Sequence, residues 1–273
     1  MPRPRSVSPE ANYQVRALQR GLAILGEFSP QQPTLSLAEV SGRLSLPKAT
    51  ALRLLECLRG EGFATYDPLI ARYSLGPRAF EVGSAYVGAS ALKQHGPPFL
   101  RRLAKDTGQT ANLGILDGFS VLHVSVAEPE RPVRYHTRAG ERDALHCTAL
   151  GKVLIADWPS ERLHELVSDT GLPRRTPSTI TEPSDLETEL EQVRQRGFAE
   201  DREEGAVGLR CLAAPVRDAR GDVIAAMSIS GAAAEFEGHR RAELLAILHE
   251  QSGGLTRRLE WTGPMSVSQR GKP

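Results

Sequence analysis

The sequence predicts an α+β protein of two domains, an N-terminal winged helix-turn-helix followed by a domain of antiparallel strands flanked by helices. The chain has 273 residues, which is enough for one large or two ordinary domains. Two short helical segments joined by a tight turn precede a hairpin within the first 76 residues. Strand and helix patterns then alternate along the rest of the chain. The order of these signals is more specific than any one of them.

Composition is typical of a globular protein. Hydrophobic residues make up 40% of the chain and charged residues 25%, which excludes wholesale disorder and collagen-like repeats. No segment approaches the roughly 18 consecutive apolar residues of a membrane span, and the N-terminus lacks the apolar core of a signal peptide. We therefore expect a cytoplasmic protein without a membrane partner.

Charge is distributed unevenly along the chain. Residues 1–75 contain nine Lys or Arg against six Asp or Glu, whereas the remainder contains 25 against 27. A basic head on an acidic body is typical of a polyanion-binding module attached to a second domain.

Helical patterns begin after a proline-rich arm, residues 1–12, which we expect to be disordered. Apolar residues recur every three or four positions from Val15 to Phe28 and predict an amphipathic helix. Ser36 and Glu39 have the spacing of a capping box and open a short second helix that Gly42 can end in a left-handed conformation. These segments start a winged helix-turn-helix domain expected over residues 13–76.

A third helix and a wing complete that domain. Ser45 and Pro47 supply an N-cap region and a first-turn proline, and three leucines continue the helix on one buried stripe: Leu52, Leu55 and Leu58. Residues 63–66 and 72–75 are rich in β-forming residues and predict a hairpin.

The second domain follows a linker helix expected over residues 77–95, which Gly96-Pro97-Pro98 ends. We expect this domain over residues 96–261, with a disordered tail at 262–273. Its segments are predicted in the order helix Phe99–Thr107, strands Ala111–Leu116, Val121–Val126 and Val133–Thr137, helices Ala149–Ala156, Ser160–Val167 and Asp185–Arg196, strands Leu212–Val216 and Val223–Ser230, and helix Arg241–Leu259.

The third helix has residues suited to the major groove of DNA. Lys48, Thr50 and Arg53 place short polar or basic side chains at its start, where Arg53 can contact a guanine or a phosphate. The alternative is a solvated face of a small helical bundle. Ser45 fits an N-cap or a phosphate contact equally well, and Arg72 either reaches a minor groove or flanks the hairpin.

Short stretches along the chain carry a family resemblance. They are Arg16-Ala-Leu18 through Ile24, Ser36-Leu-Ala-Glu39, Leu46-Pro-Lys-Ala-Thr50, Arg53-Leu-Leu55, Gly62-Phe63, Tyr73-Ser-Leu-Gly76, Asn112-Leu113, Leu116-Asp-Gly118, Leu145-His-Cys147, Ala149-Leu-Gly-Lys152, Thr179-Ile-Thr181, Arg196-Gly-Phe-Ala199, Asp201-Arg-Glu-Glu204, Gly208-Leu-Arg-Cys211, Ala213-Ala-Pro-Val216 and Ser228-Ile-Ser-Gly231. In order and spacing, the chain resembles the IclR family of transcriptional regulators. The resemblance implies a homodimer or tetramer that binds a double-stranded DNA operator and has a GAF-like α/β effector-binding domain without a cofactor.

The resemblance also implies an effector pocket for a small organic acid. Its contacts fall on the turn Ala149-Leu150, whose N–H groups suit a carboxylate, on polar side chains and on two residues of an apolar side: Asp201, Cys211, Ser228, Ser230, Pro132 and Tyr135. Ser228 and Ser230 alternate along a strand and therefore share a face. Asp201 would repel a simple anion, so a hydroxy- or keto-acid fits best. Cys211 is equally explained as a buried packing residue.

Three alternative functions would use cysteine, histidine or aspartate residues of the second domain. An enzyme would use Cys147 beside His146, or Cys211, with Asp143 as the acid, but the sequence contains no G-x-S-x-G, H-E-x-x-H or phosphate-binding glycine loop. We expect no catalytic site.

A metal sensor would recruit histidines and a cysteine whose separations match no compact ligand motif: His123, His136, His146 and Cys147. A thiol-based redox switch through Cys147 and Cys211 needs only spatial proximity, which a sequence does not reveal.

Overall fold

The computed structural model describes residues 15–29, 32–89, 91–131 and 135–260, with backbone alone at 84–89 and 260. The predicted arm and tail lie outside these ranges. Described residues up to Ala89 form one compact unit, and those from Ala91 onward form a second. The α+β fold class is confirmed. Within these ranges no helix has the length and apolar character needed to cross a membrane.

The first unit is a winged helix-turn-helix, as predicted. Its elements are α1 (Arg16–Gly26), β1 (Thr34–Leu35), α2 (Leu37–Arg43), α3 (Lys48–Gly60), β2 (Ala64–Asp67), β3 (Arg72–Leu75) and α4 (Pro77–Ala89). Strand β3 lies between β1 and β2 and is antiparallel to both. Strand β1 was not predicted, because a strand of two residues is too short to show an alternating pattern in the sequence.

The start of α2 is held by the predicted capping box. Glu39 N–H donates to Ser36 Oγ at 3.2 Å, and Ser36 N–H donates to Glu39 Oε2 at 2.7 Å. These bonds, with the Arg72 guanidinium 2.9 Å away, lower the pKa of Glu39 to about 2. Arg72 also donates from Nε to Thr34 Oγ1 at 2.9 Å, so it ties the wing to β1 and α2.

Three local predictions in this unit are wrong. Helix α2 continues through Gly42, and Ser45 instead takes the left-handed conformation, with φ of 51°. The residue that caps α3 is Pro47, so Ser45 is not its N-cap. Leu52 is 41% exposed, because Ala51 and Leu55 occupy the buried stripe of α3. The turn is closed by Ser41, whose hydroxyl donates to Leu46 O at 2.6 Å.

The second unit has more strands than the sequence predicted. Its elements are α5 (Ala91–Thr107), β4 (Thr110–Asp117), β5 (Ser120–Ala127), β6 (Arg142–Ala144), α6 (Ala149–Ile155), α7 (Ser160–Thr170), α8 (Pro183–Arg196), β7 (Ala199–Arg202), β8 (Leu209–Arg217), β9 (Val223–Ala232), a 3-10 turn (Ala233–Phe236) and α9 (Gly238–Glu260). The short edge strands β6 and β7 were not predicted. Residues 135–137 are not a strand, and the start of that predicted segment lies outside the described residues.

All neighbouring strands are antiparallel in a sheet of order β6-β5-β4-β9-β8-β7. Helices cover both faces. Leu100 of α5 and Leu248 of α9 pack on one face with Leu212, while α6, α7 and α8 pack on the other. The unit is therefore a three-layer arrangement with an apolar core on each side of the sheet.

The predicted helix break at Gly96-Pro97-Pro98 is wrong, because α5 runs through it from Ala91 to Thr107. Gly96 is buried, and a Cβ there would lie 2.8 Å from Leu113 Cδ2. Tertiary packing of α5 on the sheet thus offsets the backbone hydrogen bonds that the two prolines remove.

Candidate functional site

The first two turns of α3 present unpaired positive charge. Lys48 and Arg53 are exposed, and neither forms an ion pair within the described residues, whereas Arg59 at the other end of α3 pairs with Glu56 at 2.7 Å. Thr50 is half-buried beside them. This end of α3 therefore offers donors and positive charge to a polyanion.

Two further predicted DNA contacts have different settings. Ser45 is exposed in the turn before α3. Arg72 is half-buried, and its guanidinium is engaged by Thr34 and Glu39. The geometry favours the structural interpretation of Arg72, and its contact with a minor groove stays a prediction.

A cavity of about 80 Å³ lies between the sheet and α6. Seven of the eight predicted effector contacts line it: Tyr135, Ala149, Leu150, Asp201, Cys211, Ser228 and Ser230. The eighth, Pro132, lies outside the described residues. The family resemblance thus selected side chains that the fold brings to one place.

Strand register explains why the polar residues converge. Asn112 on β4 pairs with Ser228 on β9, and Cys211 on β8 pairs with Ser230. Side chains alternate between faces, so these four residues lie on the face covered by α6. Asn112 Nδ2 donates to the hydroxyls of Ser228 and Ser230 at 3.4 and 3.3 Å. Its Oδ1 is buried without a hydrogen-bond partner in the described part of the chain.

Helix α6 begins at the cavity wall. Its N-cap, Thr148, accepts a hydrogen bond from Gly151 N–H at 3.1 Å, which leaves the N–H groups of Ala149 and Leu150 without an intrahelical acceptor. Gly151 is required here because a Cβ would clash with the Leu145 carbonyl. Leu150 packs above Gly114, whose missing side chain makes room for it.

Asp201 is the carboxyl group at the β7 end of the cavity. Its Oδ1 accepts from Glu204 N–H at 2.7 Å and from Gly205 N–H at 3.4 Å. Burial nevertheless raises the pKa of Asp201 to about 6, and the nearby Glu204 carboxylate adds to the rise. Lys152 does not line the cavity, because its buried ammonium donates to Glu204 Oε1 at 2.6 Å.

Both buried cysteines line the cavity as thiols. Burial raises the pKa of Cys147 to about 11 and that of Cys211 well above its usual range. A thiolate is the reactive form, and burial disfavours it at both residues. His146 donates from Nε2 to Pro173 O at 3.2 Å and does not line this cavity. Among the described residues no three His, Cys, Asp or Glu side chains are grouped as metal ligands.

Six polar residues of the cavity were not among the predicted effector contacts: Asn112, His123, Thr137, Asp143, Thr148 and Arg175. Asn112 belongs to a stretch that carries the family resemblance, which was a usable signal. The others enter the cavity through β5, β6 and loops, and nothing in their local sequence predicts that placement.

Two family models match the chain in order. The IclR helix-turn-helix domain matches residues 17–68, and the C-terminal domain of bacterial IclR transcriptional regulators matches residues 84–256. The chain belongs to the IclR family. This family consists of transcriptional regulators, so the helix-turn-helix unit is a DNA-binding domain.

Individual relatives agree with this assignment. The transcriptional regulator BhcR of Paracoccus denitrificans is 40% identical over 80% of this chain and 77% of its own length. The transcriptional repressor AllR of Klebsiella pneumoniae is 36% identical over 86% of both chains. The crystal structure of an IclR regulator from Alicyclobacillus acidocaldarius is 26% identical and covers 90% of this chain and 99% of its own, with a TM-score of 0.81.

Asp201 makes the stability of this IclR-family protein depend on pH. Its pKa is about 6 in the folded protein, above the ordinary 3.8. Its contribution to the free energy of unfolding is therefore fully present below about pH 4 and is lost as the pH rises through about 6. Asn at this position keeps an acceptor oxygen and carries no charge. Asp201→Asn lacks this loss. As the pH rises from 4 to 7, we therefore expect the unfolding free energy of the variant to increase by about 3 kcal/mol relative to that of the unaltered protein.

Chemical denaturation at a series of pH values measures this difference. The exposed Asp169 on α7, changed to Asn, is the matched control. A difference between Asp201→Asn and the unaltered protein that stays constant over this range would contradict the raised pKa.

Proposed function

We propose that this protein represses transcription by binding a roughly palindromic operator as a homodimer or tetramer, and that a small organic acid in the cavity changes its affinity for DNA. The observation that carries the proposal is the convergence of Asn112, Ser228 and Ser230 on a cavity in the unit that lacks the DNA-binding helix. A protein that binds an operator works beside the chromosome, so we expect it in the cytoplasm.

Two relatives support this proposal. AllR is named a repressor. An IclR homologue of Microbacterium hydrocarbonoxydans has been crystallised in complex with 4-hydroxybenzoate and is 24% identical to this chain, with a TM-score of 0.79.

The cavity chemistry favours a hydroxy- or keto-acid. The N–H groups of Ala149 and Leu150 and the hydroxyls of Ser228 and Ser230 suit a carboxylate. The volume of about 80 Å³ equals that of roughly five to eight water molecules, so the effector is small. Asp201 accepts a hydrogen bond from an effector hydroxyl when ionised and donates one to a keto oxygen when protonated.

Operator recognition is assigned to Lys48, Thr50 and Arg53 in the first turns of α3, with Ser45 near a phosphate. Arg53 is long enough to form bidentate hydrogen bonds to a guanine, and Lys48 is a point charge for the backbone. Two DNA-binding domains bound to one face of the duplex place the half-sites a multiple of about 10–10.5 base pairs apart.

Apolar side chains on the surface of the first unit support self-association. Leu18 and Leu22 of α1 are 60% and 58% exposed, so the predicted apolar stripe of this helix is only partly in the core. Phe80 and Val82 of α4 are also exposed, at 79% and 52%. Burying such residues against a second copy is favourable. The side chain of Val87, on the same helix, lies outside those described.

Substitutions on α3 should separate base contacts from phosphate contacts. We expect Arg53→Ala to cost about 1–3 kcal/mol of binding to an operator selected from random DNA and to relax its preference at one position of each half-site. Lys48→Ala should reduce the slope of log affinity against log salt concentration by about one unit for each bound DNA-binding domain.

Fluorescence anisotropy at several salt concentrations measures both effects. Arg59→Ala, at the ion-paired end of α3, is the control. Uniform weakening on all sequences would reassign Arg53 to phosphate, and an unchanged affinity would remove it from the interface.

Leu22→Glu should dissociate the dimer, because a carboxylate in an apolar interface loses its hydration without gaining a partner. Sedimentation velocity at micromolar concentration should then report monomer and a large loss of operator affinity. Leu69→Glu is the matched control, since Leu69 is 93% exposed in the wing turn. Monomeric unaltered protein with full operator affinity would refute the dimer.

Ser228→Ala combined with Ser230→Ala should abolish effector binding and leave effector-free DNA binding intact. A thermal-shift screen of hydroxy- and keto-acids identifies binders, since a ligand at 100 times its dissociation constant stabilises the native protein by about 2.7 kcal/mol. Ser125→Ala is the control, because Ser125 pairs with Leu113 on the opposite face of the sheet. A full response in the double variant would place the effector elsewhere.

A further inference from the structure

The end of the cavity at β5 and β6 contains a second group of polar side chains. His123 on β5 pairs with Gly114, and Asp143 on β6 pairs with Val121. Gly114 lies against both Val121 and Leu150, which are on the α6 side of the sheet. Strand alternation therefore puts His123 and Asp143 on the face that lines the cavity.

The imidazole of His123 is held in place with one nitrogen unused. Its Nε2 lies 2.8 Å from Asp143 Oδ2, an arrangement in which the carboxylate accepts a hydrogen bond from Nε2–H. The side chain is 3% exposed, and Nδ1 has no hydrogen-bond partner within the described ranges. An unpartnered buried polar atom is costly, and a ligand in the cavity is one way to satisfy it.

Arg175 brings a positive charge to the same end. It lines the cavity together with His123 and Asp143. Its guanidinium forms no hydrogen bond or ion pair with the residues that the structure describes, whereas the adjacent Arg174 donates to Pro177 O at 3.1 Å and to Thr181 Oγ1 at 3.3 Å. Arg174 is thus used to hold the loop after α7, and Arg175 remains available at the cavity.

We propose that His123 and Arg175 form an anion subsite for a second carboxylate, so that the effector is a dicarboxylic acid. This inference rests on the proposed function and specifies the class of effector. In the proposed complex, His123 donates from Nε2 to Asp143 and from Nδ1 to the ligand carboxylate, which also pairs with Arg175. A ligand ammonium would be repelled by Arg175, whereas a carboxylate pairs with it.

The position of the subsite in the sheet agrees with a ligand that has a carboxylate at each end. Strand β5 is two strands from β9, which carries Ser228 and Ser230, so their backbones are roughly 10 Å apart.

Calorimetric titration of the full-length protein tests the proposal with matched pairs of acids. The pairs are succinate with butyrate, glutarate with valerate, and adipate with hexanoate. At least one dicarboxylate should bind roughly tenfold more tightly than its partner, as expected for an added charge-assisted contact. Arg175→Gln and His123→Gln should each abolish this preference and leave the affinity for the monocarboxylate unchanged. Arg174→Gln should keep the preference.

Each outcome has a definite meaning. Equal affinity for both members of every pair, or a preference that survives Arg175→Gln, overturns the dicarboxylate subsite and leaves the proposed function standing. A different result would overturn the proposed function and the subsite together. In that case neither monocarboxylates nor dicarboxylates bind, and none of the acids used in the thermal-shift screen changes the affinity for the operator. Arg175 is exposed, so its variant decides the matter even if His123→Gln lowers stability.

Discussion

The pairing of β4, β9 and β8 is the constraint on which the second unit depends. Asn112 opposite Ser228, and Cys211 opposite Ser230, place the polar side chains under α6, while Leu113 and Leu212 face α5 and α9. A slip of one residue would exchange the two sets, burying hydroxyls and an amide in an apolar core. The hydrophobic cores on both faces therefore fix the register, and the register in turn fixes the cavity.

A buried ion pair supports the other wall of the cavity. Lys152 of α6 is completely buried, and its ammonium donates to Glu200 O at 2.5 Å and to Glu204 Oε1 at 2.6 Å. Glu204 N–H in turn binds Asp201, so the carboxyl group in the cavity is positioned through this pair. An uncompensated charge at this depth is strongly destabilising, so separating α6 from the turn after β7 would cost much of the stability of this unit.

The two units use their polar groups in opposite ways. In the first unit, the capping box and Arg72 are spent on holding α2, β1 and the wing together, which leaves Lys48 and Arg53 exposed for a partner. In the second unit, unpaired atoms such as Asn112 Oδ1 and His123 Nδ1 are enclosed. A surface of exposed charge suits a large polyanion, and an enclosed set of directional groups suits a small molecule.

The sequence by itself determined the fold class, the capping box, the wing and the long helices, because each depends on local periodicity or on residues three or four apart. It also determined the family, and with it seven residues that line the cavity. Tertiary structure alone decided that α5 runs through Pro97 and Pro98, that Leu52 is exposed, and that Ser45 takes the left-handed turn. It alone brought His123, Asp143 and Arg175 to one end of the cavity. The physical reason is that packing and strand pairing act between residues far apart in the chain, where local propensity carries no information.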